Sequence, residues 1–192
     1  MTHALAIDFD GTIADTNGRK VAWVRDNLGI EITVGQADAT SCVPIIGRDE
    51  YTRMGQDVFS PEGTMVTEPT PGALDALRRL AEAHRLVLLS ARGSDWLPAA
   101  EAWLVERGVR DLFADVRSSS GTTKAGVVES VGAHALVDDD TRHLVIPSDH
   151  PFLRYHFHPD EATPWRVDGD VVHVRGWTEF DDHLAGALPA LT

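Results

Sequence analysis

Short apolar runs and longer helical stripes alternate along this chain. Residues 4–7, Ala-Leu-Ala-Ile, form a continuous apolar run too short for a helix, which reads as a strand buried on both faces. Leu86-Val-Leu-Leu89 and His134-Ala-Leu-Val137 repeat that signature, with a further strand at residues 112–116 between them. The intervening segments change to helical period. Residues 17–28 carry Val21, Val24 and Leu28 and stop at Gly29. Residues 48–59 place Tyr51, Met54, Val58 and Phe59 on a stripe, and residues 73–84 turn Leu74, Leu77 and Leu80 inward. Residues 95–108 align Leu97, Ala100, Trp103 and Leu104, and residues 124–131 form a short helix. Strands alternating with helices predict an α/β fold, a Rossmann-like parallel sheet with helices on both faces. Right-handed crossovers then bring every strand's C-terminal end to one edge.

The segment after the first strand breaks this alternation. Residues 31–47 are weakly patterned and contain Pro44, Ser60-Pro-Glu-Gly63 closes the helix before it, and Glu68-Pro-Thr-Pro-Gly72 is a stiff return linker. Residues 17–67 are therefore expected to be a small helical cap inserted in a core made of residues 1–16 and 68–192. A lid in that position excludes water from the site beneath it. Lys20, Arg48 and Arg53 are its basic candidates for substrate contact, although a solvated surface charge is the commoner role. Beyond Leu144 the expected order is a turn-rich loop at 146–151, a strand at 153–158, a long loop at 159–169 with Trp165, a strand at 171–174 and a final helix at 178–188. His156 and His158 share one strand face. Without a third ligand nearby they read as a partly buried polar face rather than a metal pair. Asp181, Asp182 and His183 read as a solvated helix surface.

A length of 192 residues and an apolar fraction of 43% suffice for one core with an insertion. The net charge of −13 argues against nucleic acid and anionic membranes as partners, but not against a small anionic substrate. The one cysteine, Cys42, permits no internal disulfide and suits a small buried hydrophobe. With a strand starting near residue 4, no signal peptide is expected, and no apolar run approaches the ~18 residues of a membrane span. The expected location is cytoplasmic, with a homodimer among the assemblies open to it.

The strand ends carry the chemistry. The first delivers Asp8 and Asp10 to the same side, with Phe9 on the other. The second ends in Ser90-Ala-Arg-Gly93 and the fourth in Asp138-Asp-Asp140, while Lys124 opens a helix whose N-terminus should lie on the same edge. Close carboxylates repel, by about 4 kcal/mol at 4 Å in a half-buried site, so a cation belongs between them. A phosphomonoester substrate accounts for every converging group. Asp8 can attack phosphorus and form an aspartyl-phosphate, Asp10 can protonate the departing oxygen and later activate water, and Lys124 and Ser90 can hold phosphoryl oxygens. Mg²⁺ suits the acids, with Asp138 the third of them and Asp139 behind, orienting a water on the ion. Arg92 either binds substrate or holds a loop carboxylate. Asp15 is read as the cap of the following helix.

Asp8-Phe-Asp-Gly-Thr12 resembles the first motif of the haloacid dehalogenase (HAD) superfamily. Ser90, Lys124 and Asp138-Asp139 stand at that superfamily's later motif positions. The small helical insertion, the Ser-Ala-Arg strand ending, the Ser/Thr-rich loop before Lys124 and the paired Asp resemble the 5'(3')-deoxyribonucleotidase-like branch with its C1 cap. Val172-His-Val-Arg-Gly-Trp-Thr-Glu-Phe is similar to that branch's late strand and Trp-containing helix. The resemblance implies Asp8 as nucleophile and Asp10 as acid/base. It implies a phosphate-binding set of Ser90, Ala91, Arg92 and Lys124, and a Mg²⁺ held by Asp8, Asp138 and the backbone carbonyl of Asp10. The implied activity is hydrolysis of a small phosphomonoester, with a nucleoside 5'-monophosphate as one candidate. A sugar-phosphate or specialised-metabolite phosphatase and a catalytically silent binding domain are the alternatives. For a nucleobase the cap offers Tyr51, Phe59 and Trp23.

Overall fold

The computed structural model describes residues 3–159 and 170–188. Its centre is a parallel sheet of β1 (Ala4–Ile7), β2 (Arg85–Ser90), β3 (Phe113–Ser118), β4 (Ala135–Asp138), β5 (Leu153–Phe157) and β6 (Val171–Val174), in the order β3-β2-β1-β4-β5-β6. β1 lies between β2 and β4 and is wholly buried, as its unbroken apolar sequence requires. From β1 the chain builds outward through β2 and β3, then crosses back to lay β4 on the other side. The junction of β1 and β4 is thus where strand order reverses, and open α/β sheets bind ligands beyond the strand ends at that point. Asp8 directly follows β1, and Asp138 ends β4.

The sheet has a core on each face. Leu5, Ile7, Leu86 and Leu88 pack with Leu77 of α5 (Ala73–Ala83), Trp103 of α6 (Leu97–Glu106) and Phe180 of α9 (Trp177–Ala187). Ala4, Ala6 and Leu136 pack on the other face with Val128 of α7 (Lys124–Val131) and Leu144 of α8 (Thr141–Leu144). The two-residue period of β1 separates the sets.

Between β1 and α5 run α1 (Thr16–Leu28), α2 (Ala39–Ile46), α3 (Arg48–Val58) and α4 (Pro61–Met65). The first three, with Ile32 from the stretch after α1, share a small core of Trp23, Val24, Ile32, Cys42, Met54 and Val58, while Met65 of α4 packs against the main core. Asp15 caps α1 by accepting from the Gly18 amide at 2.9 Å. The ends of this segment lie side by side. The Asp15 amide donates to the Glu68 carbonyl at 2.8 Å, and Ala14 and Pro69 form an antiparallel bridge.

Three helices depart from expectation. The weakly patterned stretch holds α2, whose start is fixed by Asp38 accepting from the amides of Thr40 and Ser41 at 2.8 and 3.1 Å. It contains Pro44, which removes one backbone donor, while Cys42 anchors it in the small core. Ser60-Pro61 ends α3 and also starts α4, with the Ser60 hydroxyl accepting from the Gly63 amide at 2.9 Å and proline at the first helical position. Asp140 caps the short α8 through the Arg142 amide at 2.9 Å. Of the long loop expected with Trp165, residues 160–169 lie outside the described residues. Among those described, no helix is long and apolar enough to cross a membrane.

Two stability predictions follow from turn and edge geometry. Gly11 turns the chain after β1 at φ 77°, where a Cβ would sit 2.1 Å from Asp139 Oδ2. Gly29 has φ 67° with nothing within 4 Å of the added Cβ. Gly29→Ala should cost about 1 kcal/mol from backbone conformation alone, and Gly11→Ala distinctly more, as read by paired thermal melts. At the sheet's N-terminal edge, His3 packs edge-on to His134 at 4.8 Å and tilted to His84 at 6.2 Å. Burial, with His3 adding to it, lowers both His84 and His134 from the ordinary 6.5. The folded state therefore binds fewer protons than the unfolded chain, so stability is complete above about pH 6.5 and falls as pH drops below it. Melting temperature measured across that range should decline less steeply in His84→Asn than in the unaltered protein.

Candidate active site

The C-terminal edge of β1 and β4 is held by one buried cation. Asp8 continues the ladder beyond β1, its amide donating to the Val137 carbonyl at 3.0 Å. Lys124 is the first residue of α7, set there by Thr123, whose hydroxyl caps the helix through the Gly126 amide at 3.0 Å. Its Nζ donates to Asp8 Oδ1 and Asp138 Oδ2, each at 2.6 Å. The three side chains are 1%, 5% and 0% exposed, so solvent does not screen these pairs. Asp138 Oδ1 accepts from the Asp140 amide at 2.9 Å.

Asp139 completes the acid group. One oxygen from each of Asp8, Asp138 and Asp139 lies within 4.8 Å of the others. The Asn17 amide donates to Asp139 Oδ2 at 2.5 Å, and Lys20 donates to Asn17 Oδ1 at 3.0 Å. Lys20 is thus buried beside the site rather than solvated. Burial raises Asp8 to about 6, with Asp10 adding to it and Lys124 opposing. Burial and then Asp8 raise Asp139 to about 7, and Asp138 stands well above its usual range, chiefly through burial. Burial alone would push Lys124 down, but Asp138 and Asp8 reverse this and raise it. Three carboxyls around one ammonium remain short of positive charge. Their hard oxygens fit a divalent cation such as Mg²⁺, which takes carboxylate ligands beside substrate phosphate.

Asp10 is held apart from this group. Both of its oxygens accept from Arg92, at 2.8 and 2.7 Å, and Oδ1 also accepts from the Thr16 hydroxyl at 2.9 Å. Arg92, expected to bind substrate or hold a carboxylate, thus has its fork engaged by Asp10. Ser90 ends β2 fully buried, its Oγ accepting from the Arg92 amide at 3.1 Å. Ala91 is exposed to the cavity.

That cavity, about 570 Å³, opens over Asp8, Asp10, Lys124, Asp138 and Asp139. It is also lined by Tyr51, Gln56 and Phe59, by Trp96, which meets Phe59 edge-on at 6.4 Å, and by Asp38, Arg142 and His143. Arg48 and Arg53 do not line it. Arg53 pairs with Glu50 at 2.7 Å and stacks on Trp23 at 5.2 Å. His156 supports the edge from β5, meeting the Asp139 carbonyl at 3.1 Å and His173 at 3.0 Å. Sequence reasoning did not single out Asn17, Gln56, Trp96, Arg142 or His143. The only advance signal was position, since Asn17 falls within a turn of Asp15, and Arg142 and His143 directly follow the acidic strand ending.

No protein-family model matches the sequence, and no curated protein matches it. Solved structures do match in shape. A haloacid dehalogenase-like hydrolase from Streptococcus pneumoniae is similar over 95% of this chain and 98% of its own, at 13% identity and a TM-score of 0.66. A protein described as the HAD-hydrolase YfnB from Bacillus subtilis, bound to magnesium, is similar over 96% and 100%, at 14% identity and 0.63. L-2-haloacid dehalogenase from Xanthobacter autotrophicus is similar over 97% and 100%, at 15% identity and 0.59. At these identities the likeness establishes architecture, and the chain has the α/β fold of haloacid dehalogenase-like hydrolases.

Proposed function

We propose that the protein is a metal-dependent hydrolase of small phosphomonoesters within the HAD superfamily. The observation that carries this reading is the buried array of Asp8, Lys124, Asp138 and Asp139 under a cavity that also presents Asp10. Asp8 and Asp138 would hold Mg²⁺ with the Asp10 carbonyl, and Asp139, expected behind them, brings an oxygen within 4.8 Å of theirs and can join them, consistent with the magnesium-bound structural neighbour. When bound, the ion offsets the charge of carboxylates and phosphate.

The chain's own residues do the rest. An Asp8 oxygen attacks phosphorus and forms an acyl-phosphate while the ester P–O bond breaks. Asp10 gives its proton to the leaving oxygen. Asp10 then takes a proton from the water that attacks the acyl-phosphate, the bond from phosphorus to Asp8 breaks, and inorganic phosphate leaves. Lys124 stays fixed on Asp8 and stabilises the transferring phosphoryl group with the amides after β2, which the buried Ser90 supports by accepting from the Arg92 amide. The helical segment α1–α4 acts as a cap. Tyr51, Phe59 and Trp96 suit a flat leaving group, which supports a nucleoside 5'-monophosphate over a sugar phosphate. Dehalogenation, the chemistry of one structural neighbour, would leave Asp10 and the Asp138–Asp139 pair without a task.

The unaltered protein should hydrolyse p-nitrophenyl phosphate with Mg²⁺ and lose that activity to a chelator, and a panel of nucleotides and sugar phosphates should identify the substrate. Asp8→Asn should abolish turnover of every phosphomonoester, because an amide cannot form the covalent intermediate. Asp10→Asn should lose about 10²- to 10⁴-fold on an alkyl phosphate, the usual worth of general acid catalysis. On p-nitrophenyl phosphate, whose leaving group departs unprotonated, its first step should suffer far less and give a burst of p-nitrophenol. A burst from Asp8→Asn would overturn the assignment of the nucleophile.

A further inference from the structure

Arg92 has two sets of partners. Toward the core, Nε donates to Asp10 Oδ2 at 2.8 Å and Nη2 to Asp10 Oδ1 at 2.7 Å, a two-pronged grip on one carboxylate. Away from the core, Nη1 donates to the Thr64 hydroxyl of α4, in the inserted segment, at 2.8 Å and to the Trp96 carbonyl, just before α6, at 3.5 Å. The guanidinium also lies 5.1 Å from the ring centre of Phe9, on the sheet side, and 5.4 Å from that of Phe59, beyond α3. Its side chain is 5% exposed. A guanidinium presents five N–H donors in one fixed plane. Four are engaged in these bonds, so no fork remains for a phosphate.

The pattern on Asp10 is equally specific. Each carboxylate oxygen accepts at about two lone pairs. Oδ1 receives both Arg92 Nη2 and the Thr16 hydroxyl, whereas Oδ2 receives Arg92 Nε. A lone pair therefore remains on Oδ2, on a side chain that lines the cavity.

We infer that Arg92 is the positioning residue of Asp10 rather than a ligand of the substrate phosphate, directing Oδ2 as the proton-carrying atom and tying its orientation to the inserted helices through Thr64 and Phe59. This rests on the reading of Asp10 as general acid. In the first step the proton passes from Asp10 Oδ2 to the leaving oxygen as its bond to phosphorus breaks, and Arg92 retains the carboxylate so formed. In the second step that carboxylate accepts the proton of the attacking water. Lysine cannot replace this arrangement, because an ammonium is a point charge without a planar fork.

The test compares kcat and KM of Arg92→Lys, Thr64→Val and Asp10→Asn on p-nitrophenyl phosphate and on an alkyl phosphate the protein hydrolyses, with thermal melts of each variant. Arg92→Lys should lose about 10- to 100-fold in kcat on the alkyl phosphate, as expected for a misplaced catalytic group. The phosphoryl-transfer step on p-nitrophenyl phosphate should lose far less, with KM unchanged on both. Thr64→Val should move in the same direction by a smaller factor. The double variant Asp10→Asn/Arg92→Lys should be no slower on the alkyl phosphate than Asp10→Asn alone. A rise in KM on both substrates with kcat retained would make Arg92 a phosphate ligand and overturn the inference. Equal losses on both substrates in the phosphoryl-transfer step itself, read from single-turnover release of the leaving group, with a lowered melt, would reduce Arg92 to structural support and overturn it too. If Asp10→Asn itself shows no dependence on leaving group, the general-acid reading falls. If Asp10→Asn shows that dependence while Arg92→Lys and Thr64→Val do not, only the role of Arg92 falls.

Discussion

Lys124, shared by Asp8 and Asp138, is the contact on which the acid edge depends. Two carboxylates brought together in a half-buried setting repel by about 4 kcal/mol at 4 Å. The lysine turns that repulsion into two 2.6 Å ion pairs and joins the ends of β1 and β4 where the sheet reverses its order. Removing one partner of such a buried pair typically costs about 3–5 kcal/mol, because the charge left behind has no water to turn to. Placement of the lysine is a local matter, fixed by the Thr123 cap that makes Lys124 the first residue of α7. Burial, with the neighbouring carboxylates adding to it, still leaves Asp8 and Asp139 raised beside that one ammonium. Fold, charge deficit and proposed chemistry thus meet at one ammonium group.

Much of this was legible in the sequence because burial and topology act on residue type directly. Ala4–Ile7 and Leu86-Val-Leu-Leu89 read as strands since a strand covered on both faces has no polar alternation to hide it. Helix α7 begins and ends where its Thr cap and Gly132 stop place it. Once the sheet was parallel, Asp8, Ser90 and Asp138 had to share an edge. What could not be read is what depends on distance in space. Asn17 meets Asp139 across 122 positions, and Arg92 meets Asp10 across 82, and nothing local to either residue encodes its partner. Helix α2 was hidden for another reason. Its anchor is one cysteine in a small satellite core, and Pro44 reads as a breaker although an eight-residue helix tolerates the lost bond.

The inserted helices reach the acid edge through two chains of polar contacts. Lys20 and Asn17 of α1 run to Asp139, while Thr64 of α4 runs through Arg92 to Asp10. One chain ends on an acid proposed to hold metal and the other on the proposed proton donor. The segment is therefore joined to the chemistry by side chains, Lys20, Thr64 and Arg92 buried and Asn17 half-buried, and not only by the covalent chain.

The bridge between Ala14 and Pro69 has a historical consequence. Because the segment leaves and rejoins the core at adjacent points, tied by the Asp15 amide on the Glu68 carbonyl, the distance between its ends does not depend on its length or contents. Insertions, deletions or replacement between α1 and α4 would leave the strand register of β1, β2 and β4 intact. An architecture of this kind separates inheritance of a reaction from inheritance of a substrate. Selection can rework α2 and α3 while the contacts that α1 and α4 make with the acid edge descend unchanged.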